Sequence, residues 1–126
     1  MGYRSNIRCL IYPMDTPTGD KPTLVDNYHT LVTLMNTTFK EVVGFWDGCV
    51  TFDEDHHVVD FAIDDVKWYE SYPDVAAFMN LLNEVEDLGY EYEFIRVGED
   101  NNDIEMKETN NHNGYLNVST HINCNL

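Results

Sequence analysis

The net charge of −16 is confined to one stretch of the chain: residues 47–108 carry 19 acidic residues against Lys67, Arg96 and Lys107. The first 46 residues balance four acids (Asp15, Asp20, Asp26, Glu41) with four bases (Arg4, Arg8, Lys21, Lys40), and residues 109–126 hold no Asp, Glu, Lys or Arg. An unpaired carboxylate is costly to bury, so this middle stretch must fold into elements that each keep one face in water. Self-repulsion opposes compaction, and the same field repels the phosphates of DNA and RNA while attracting basic protein surfaces. Direct nucleic-acid binding is therefore disfavoured, and a basic protein is the natural partner.

At 126 residues and 43% hydrophobic content, the chain has the size of one domain, residues 1–126, able to bury about two-thirds of its unfolded surface. Tyr3, Ser5, Ile7, Cys9 and Ile11 alternate with Arg4, Asn6, Arg8 and Leu10, as in a strand with one buried face. Pro13 to Pro22 reads as a loop, and Thr23 with Asp26 three residues on resembles a capping box. Behind it Leu24, Tyr28, Leu31, Met35 and Phe39 trace the stripe of a helix of about four turns. Gly44 and Asp47-Gly48 end that pattern. Cys49 to Phe52 and Val58 to Ile63 then form a hairpin around the polar turn Asp53-Glu54-Asp55-His56-His57.

A second helix begins at Pro73, capped near Ser71 or Tyr72, carries Val75, Phe78, Met79, Leu82 and Val85 on its buried stripe with Leu88 as a candidate last member, and stops at Gly89. Tyr90 to Val97 is a strand by its strict alternation, Ile104 to Lys107 pairs back on it, and Tyr115 to Ile122 closes the fold. The expected class is α+β, a mainly antiparallel sheet with two helices packed on it in the order β-α-β-β-α-β-β-β. Cys9, Cys49 and Cys124 are odd in number, far apart and without Cys-x-x-Cys spacing, so no disulfide framework or zinc clip is indicated. With no apolar leader and no stretch of about 20 apolar residues, the expectation is a cytoplasmic chain with no membrane contact. Asn6 stands where a myristoylation pattern wants Ser or Thr.

Few constellations carry chemistry. Asp53 to His57 contains metal-ligand residue types, but adjacent histidines on a strand face opposite ways. A metal-dependent enzyme built on that cluster is one alternative, against a solvated hairpin tip. Glu99-Asp100-Asn101-Asn102-Asp103 lacks the spacing and glycine of a calcium loop. His29, His112 and His121 are scattered, and no nucleophile elbow or phosphate-cradling glycine loop is present. No catalytic residue, metal ligand or cofactor is assigned, and the expected chain is not an enzyme. In Lys67-Trp68-Tyr69-Glu70-Ser71-Tyr72 the aromatic Trp68 either anchors a partner or packs under the second helix; Trp46 has the same two readings.

Three blocks, Met1-Gly2-Tyr3-Arg4-Ser5, Asp65 to Val75 (DVKWYESYPDV) and Tyr92 to Asp100 (YEFIRVGED), resemble in sequence and order a group of small acidic phage and prophage proteins. The resemblance implies a protein expressed in an infected bacterial host cell and supplies no catalytic residues. By analogy with acidic phage proteins, it implies an inhibitor of a host nucleic-acid-handling or defence protein, acting as a DNA mimic of anti-CRISPR or anti-restriction type. The partner-binding residues are then Asp53, Glu54, Asp55, Asp64, Asp65, Trp68, Glu99, Asp100 and Asp103. The competing expectation is a phage interaction or assembly protein whose acidic surface only confers solubility.

Overall fold

The computed structural model describes residues 3–13, 21–100, 102–109, 116–118 and 122–124. Strand β1 (Ser5–Pro13) is followed by helices α1 (Lys21–Asn36) and α2 (Lys40–Phe45), the hairpin β2 (Val50–Asp53) and β3 (Val58–Val66), helix α3 (Pro73–Asp87), and strands β4 (Tyr90–Val97) and β5 (Ile104–Glu108). The five strands form an antiparallel sheet in the order β2-β3-β1-β4-β5. With α1 and α3 as the two long crossovers, this is the connectivity and strand order of the ferredoxin-like βαββαβ unit, extended by β5 at one edge. The α+β class and the antiparallel sheet expected from the sequence are present.

Each strand splits its residues between two faces. The register pairs Cys9 with Phe61 and Phe94, and Ile11 with Val59 and Tyr92. These side chains meet Tyr28, Leu31 and Met35 of α1 and Val75, Phe78, Leu81, Leu82 and Val85 of α3 in one apolar core. Phe78 sits edge-on to Phe61 and Trp68, with ring centroids 5.1 and 5.4 Å apart. Helix α3 forms where its sequence predicts: Pro73 occupies the first turn after the extended Tyr72, and Gly89 takes a φ of +93° just past the C-cap Leu88, which is exposed and does not join the buried stripe. On the exposed side of α1, Thr30, Thr33 and Asn36 return their side-chain donors to carbonyls four residues back. Those polar groups are satisfied without a partner from elsewhere.

Several expectations are corrected. Helix α1 starts at Lys21, so Thr23 is its third residue and not a cap, and Phe39 lies beyond its end, where it is buried in the turn before α2. The short α2 takes in Gly44, which makes three helices among the described residues where two were expected. Six residues are too few to show a helical stripe, so packing against α1 and α3 decides that conformation. Of the expected loop from Pro13 to Pro22, residues 14–20 lie outside the described residues, Pro13 closes β1 and Pro22 sits in α1. The single closing strand Tyr115 to Ile122 is instead two short strands, β6 (Leu116–Val118) and β7 (Ile122–Cys124), paired with each other in a separate two-stranded sheet. Leu116 is buried with Leu10, Tyr12, Val58 and Ile95 on the sheet face that the helices leave bare. Covering that apolar patch rewards folding the uncharged C-terminal segment back on itself.

Candidate binding surface

Strand register divides the expected acidic residues between the two ends of the sheet. Asp53 pairs with Val58 at the end where β1 finishes, whereas Asp64 and Asp65 lie beside Ser5, where β1 begins. The eight residues of β3 between these positions span about 25 Å at the usual strand rise. Glu99, Asp100 and Asp103 occupy the β4–β5 turn at the same end as Asp64 and Asp65, because Val97 pairs with Asn6. β1 alone separates β3 from β4, so these two strands lie about 10 Å apart.

At the β1-start end, Tyr3 and Arg4 tie the two groups together. The Tyr3 backbone N–H donates to the Tyr69 hydroxyl (2.7 Å), and the Tyr3 hydroxyl accepts from the Asp100 N–H (3.0 Å). Arg4 donates to the Asp65 carbonyl (2.8 Å) and lies 3.8 Å from the Asp65 carboxylate. The same tyrosine crosses over Gly98, where an added Cβ would collide with the Tyr3 ring and the Asp103 carboxylate. Only glycine permits that approach.

Asp103 is not a free charge. Arg96 grips both its carboxylate oxygens (2.8 and 3.1 Å) and also donates to Glu105 (3.1 Å). Hydrogen bonds from Arg96 and then Tyr3 hold the Asp103 carboxyl down at about 2, and Asp103 in turn raises the Arg96 pKa. Asp64, Asp65, Glu99 and Asp100 are exposed. Among the described residues, Arg4, at 3.8 Å, is the cation that approaches any of these four carboxylates within ion-pair distance.

Asp53, Glu54 and Asp55 form the opposite tip, and there too part of the charge is occupied. Asp53 Oδ1 accepts from the N–H groups of Asp55 and His56 (both 3.1 Å), and its Oδ2 lies 2.8 Å from His56 Nδ1. Partial burial works against the charged Asp53, but the His56 contacts prevail and its pKa is lowered. Glu54 lies 3.6 Å from His29 Nε2 on α1. His57, at a φ of +59°, turns away from His56 and meets the Tyr28 ring edge-on, with centroids 5.6 Å apart. The two adjacent histidines therefore face different ways, and among the described residues no group of three or more His, Cys, Asp and Glu side chains is placed to hold a metal ion. That arrangement gives the metal-enzyme alternative no ligand set among those residues. His112 and His121 lie outside the described residues.

Trp68, the aromatic candidate for a partner anchor, is only 7% exposed. It packs against Trp46 (5.3 Å), Phe78 (5.4 Å) and Phe94 (6.0 Å) in the core. Of the two expected readings, packing under the second helix is the one found, so Trp68 is withdrawn as a partner anchor, and Trp46, equally buried, packs beside it.

The sheet face opposite the helices holds residues that the sequence did not single out. Arg8 makes a bidentate pair with Asp60 (2.6 and 2.7 Å), and this pairing raises the Arg8 pKa. Glu93, 3% exposed, accepts from the Tyr12 hydroxyl (2.8 Å) and from the Leu116 N–H (3.2 Å), and thereby seats β6 on the sheet. Alternation sets Arg8 and Glu93 apart from the buried faces of their own strands, and the register brings them onto a common face. The cover over that face was not legible, because it comes from a distant segment.

No family model, curated protein or solved structure matches this chain. No described helix is long and apolar enough to cross a membrane, and Cys9, Cys49 and Cys124 are free thiols.

Proposed function

We propose that this chain is a small, phage-encoded acidic protein that binds a basic, nucleic-acid-binding surface of a host protein and inhibits it as a mimic of DNA charge. Restriction, CRISPR, recombination and transcription proteins are the classes that present such a surface. The observation that carries the reading is how the cations are spent. Arg8 and Arg96 are engaged in bidentate pairs with Asp60 and Asp103, and Lys107 lies 3.7 Å from Glu105. Asp64, Asp65, Glu99 and Asp100 remain as a nearly uncompensated acidic rim. Anionic groups gathered at the end of β3 and in the β4–β5 turn offer a basic groove several contacts at one end of the sheet, and electrostatic steering of that kind raises the on-rate and falls with salt.

A second reading rests on β5, the edge strand, where Ile104 and Met106 are 41% and 57% exposed. An apolar edge of this kind suits a phage interaction or assembly component.

The test is affinity capture from bacterial lysate on the immobilised chain at low and high salt, followed by binding measurements with the purified captured protein. The inhibitor reading expects a nucleic-acid-binding protein that is held at low salt, released at high salt and displaced by duplex DNA. The combined substitution D64N/D65N/E99Q/D100N should abolish that binding, and D53N/E54Q/D55N at the other tip should weaken it less. Retention that ignores salt and survives D64N/D65N/E99Q/D100N overturns the reading, and its loss on I104S/M106S favours the apolar edge.

A further inference from the structure

Beside the acidic rim, on the sheet face away from the helices, lies a cavity of about 300 Å³ between β1, β3, β4 and β7. Its walls include Ala62, Val97 and Ile122, and its polar groups are Arg8, Asn6 and Asp64. We propose that this cavity receives one basic side chain, lysine or arginine, from the protein partner, with its methylene stem against the apolar wall and its cationic head at Asp64. The inference rests on the reading that the partner is basic and adds where one of its side chains inserts.

The charge of the cavity selects the sign of the occupant. Asp60 holds the Arg8 guanidinium with two short bonds and Asp64 also acts on it through its charge, so two carboxylates face one cation and the cavity is left negative. An anion would face those carboxylates and find Arg8 already engaged. The size admits such an occupant: a cavity of about 300 Å³ has room for a single long side chain. Lysine and arginine are the side chains that combine an apolar stem with a cationic head.

The backbone is shaped to present Asp64 here. Between Ser5 and Ile7 the β1 register advances two residues while β3 advances three, from Val66 to Ile63. The extra residue makes a β-bulge, and Asp65 absorbs it at a φ of +55°. Asn6 accepts from the Asp65 N–H (2.9 Å) and Arg4 binds the Asp65 carbonyl, so the bulge is held from the facing strand. Asp64 thus sits at the cavity wall on a braced segment and not on a free loop.

The full chain is titrated with N-acetyl-arginine amide, and separately with N-acetyl-lysine amide and inorganic phosphate, while amide NMR shifts are followed residue by residue. Saturable shifts confined to Asn6, Ala62, Asp64, Val97 and Ile122 with either cationic probe are expected. D64N should weaken the binding about three- to fivefold, the value of a partly exposed ion pair, and A62F, at an exposed strand position that suits an aromatic residue, should abolish it by filling the cavity. E54Q/D55N at the remote tip should change nothing. Unchanged shifts of core amides in A62F show that it folds, and D64N stands as an independent test. Shifts spread over all acidic residues and reduced alike by every neutralisation overturn the pocket but leave the acidic-surface reading intact. Binding of phosphate in place of the cations overturns the pocket outright. Binding of arginine amide in the cavity with no basic protein captured from lysate instead sinks the proposed function alone.

Discussion

Along β1, neighbouring residues enter opposite environments. Ile7, Cys9 and Ile11 are sealed among aromatic and aliphatic side chains of α1 and α3, whereas Arg8, Leu10 and Tyr12 meet Asp60, Glu93 and the β6–β7 hairpin. The first face is held by apolar area and shape. The second combines a small apolar patch with hydrogen-bonded carboxylates. Apolar packing is non-directional and collectively strong, whereas a buried carboxylate contributes only while its partners stay in place. The helix face should therefore respond to volume, and the hairpin face to the loss of single hydrogen bonds.

The largest effect is expected on the helix face. Phe78→Ala removes a fully buried ring that touches Phe61, Trp68 and Phe94. Chemical denaturation should show a loss of about 3–5 kcal/mol, with one cooperative transition. A cost near that of a surface mutation would mean that α3 is not the keystone of this face.

The hairpin face should yield less and yield locally. Glu93→Ala removes the acceptor of both the Leu116 N–H and the Tyr12 hydroxyl, at a cost of about 1–3 kcal/mol. Faster amide exchange at Leu116 should accompany it, with the helix-face amides little changed relative to global stability. Glu93→Gln keeps one acceptor oxygen and should fall between the two. If Glu93→Ala instead loosens α1 and α3 as much as β6, the two faces are not energetically separable.

These differences track what was legible in the sequence. The helix face was readable because its signals are local: the stripe of α3, the alternation of Tyr90 to Val97 and the hairpin around Asp53 to His57 all reappear as elements. Glu91 and Glu93 looked like ordinary outward residues of an amphipathic strand, yet both are buried, at 5% and 3% exposed. Glu93 is met by Leu116, more than twenty residues away in sequence, and no local periodicity encodes that. The acidic rim was half legible. Charge placed its residues at the surface, but the register that separates Asp53–Asp55 from Asp64–Asp65, and the Arg96 grip that removes Asp103 from the free charges, are tertiary facts.

An acid titration separates the rim from both faces. Asp103 is held at about 2 in the folded chain, against an ordinary value of 3.8. A lowered folded pKa contributes stability that is fully present above the unfolded value and is lost as pH falls through the folded one. Between pH 4 and about 2 the wild type should lose stability that Asp103→Asn, lacking this titration, does not lose over the same range. The expected difference is small, since the pair is partly exposed. Parallel acid curves for the two proteins would mean that Arg96 does not favour the charged form of Asp103.

The smallest effect is expected inside the helix face, at the place where that face departs from its own rule. The Tyr28 hydroxyl is buried with no hydrogen-bond partner among the described residues, and burial, with Glu54 and Asp53 nearby, pushes its pKa up to about 12. An unpartnered buried hydroxyl is a cost, so Tyr28→Phe should leave stability at neutral pH unchanged or raise it by up to about 1 kcal/mol. The sign reverses that of Phe78→Ala although both rings belong to one core. A raised folded pKa favours the neutral phenol: its contribution is complete below the unfolded value near 10 and is lost as pH climbs to about 12. Tyr28→Phe should therefore flatten the alkaline limb of the stability curve in that interval. If denaturation curves show instead that the substitution destabilises the chain by more than about 1 kcal/mol, the hydroxyl has a partner, and even the helix face depends on a specific hydrogen bond.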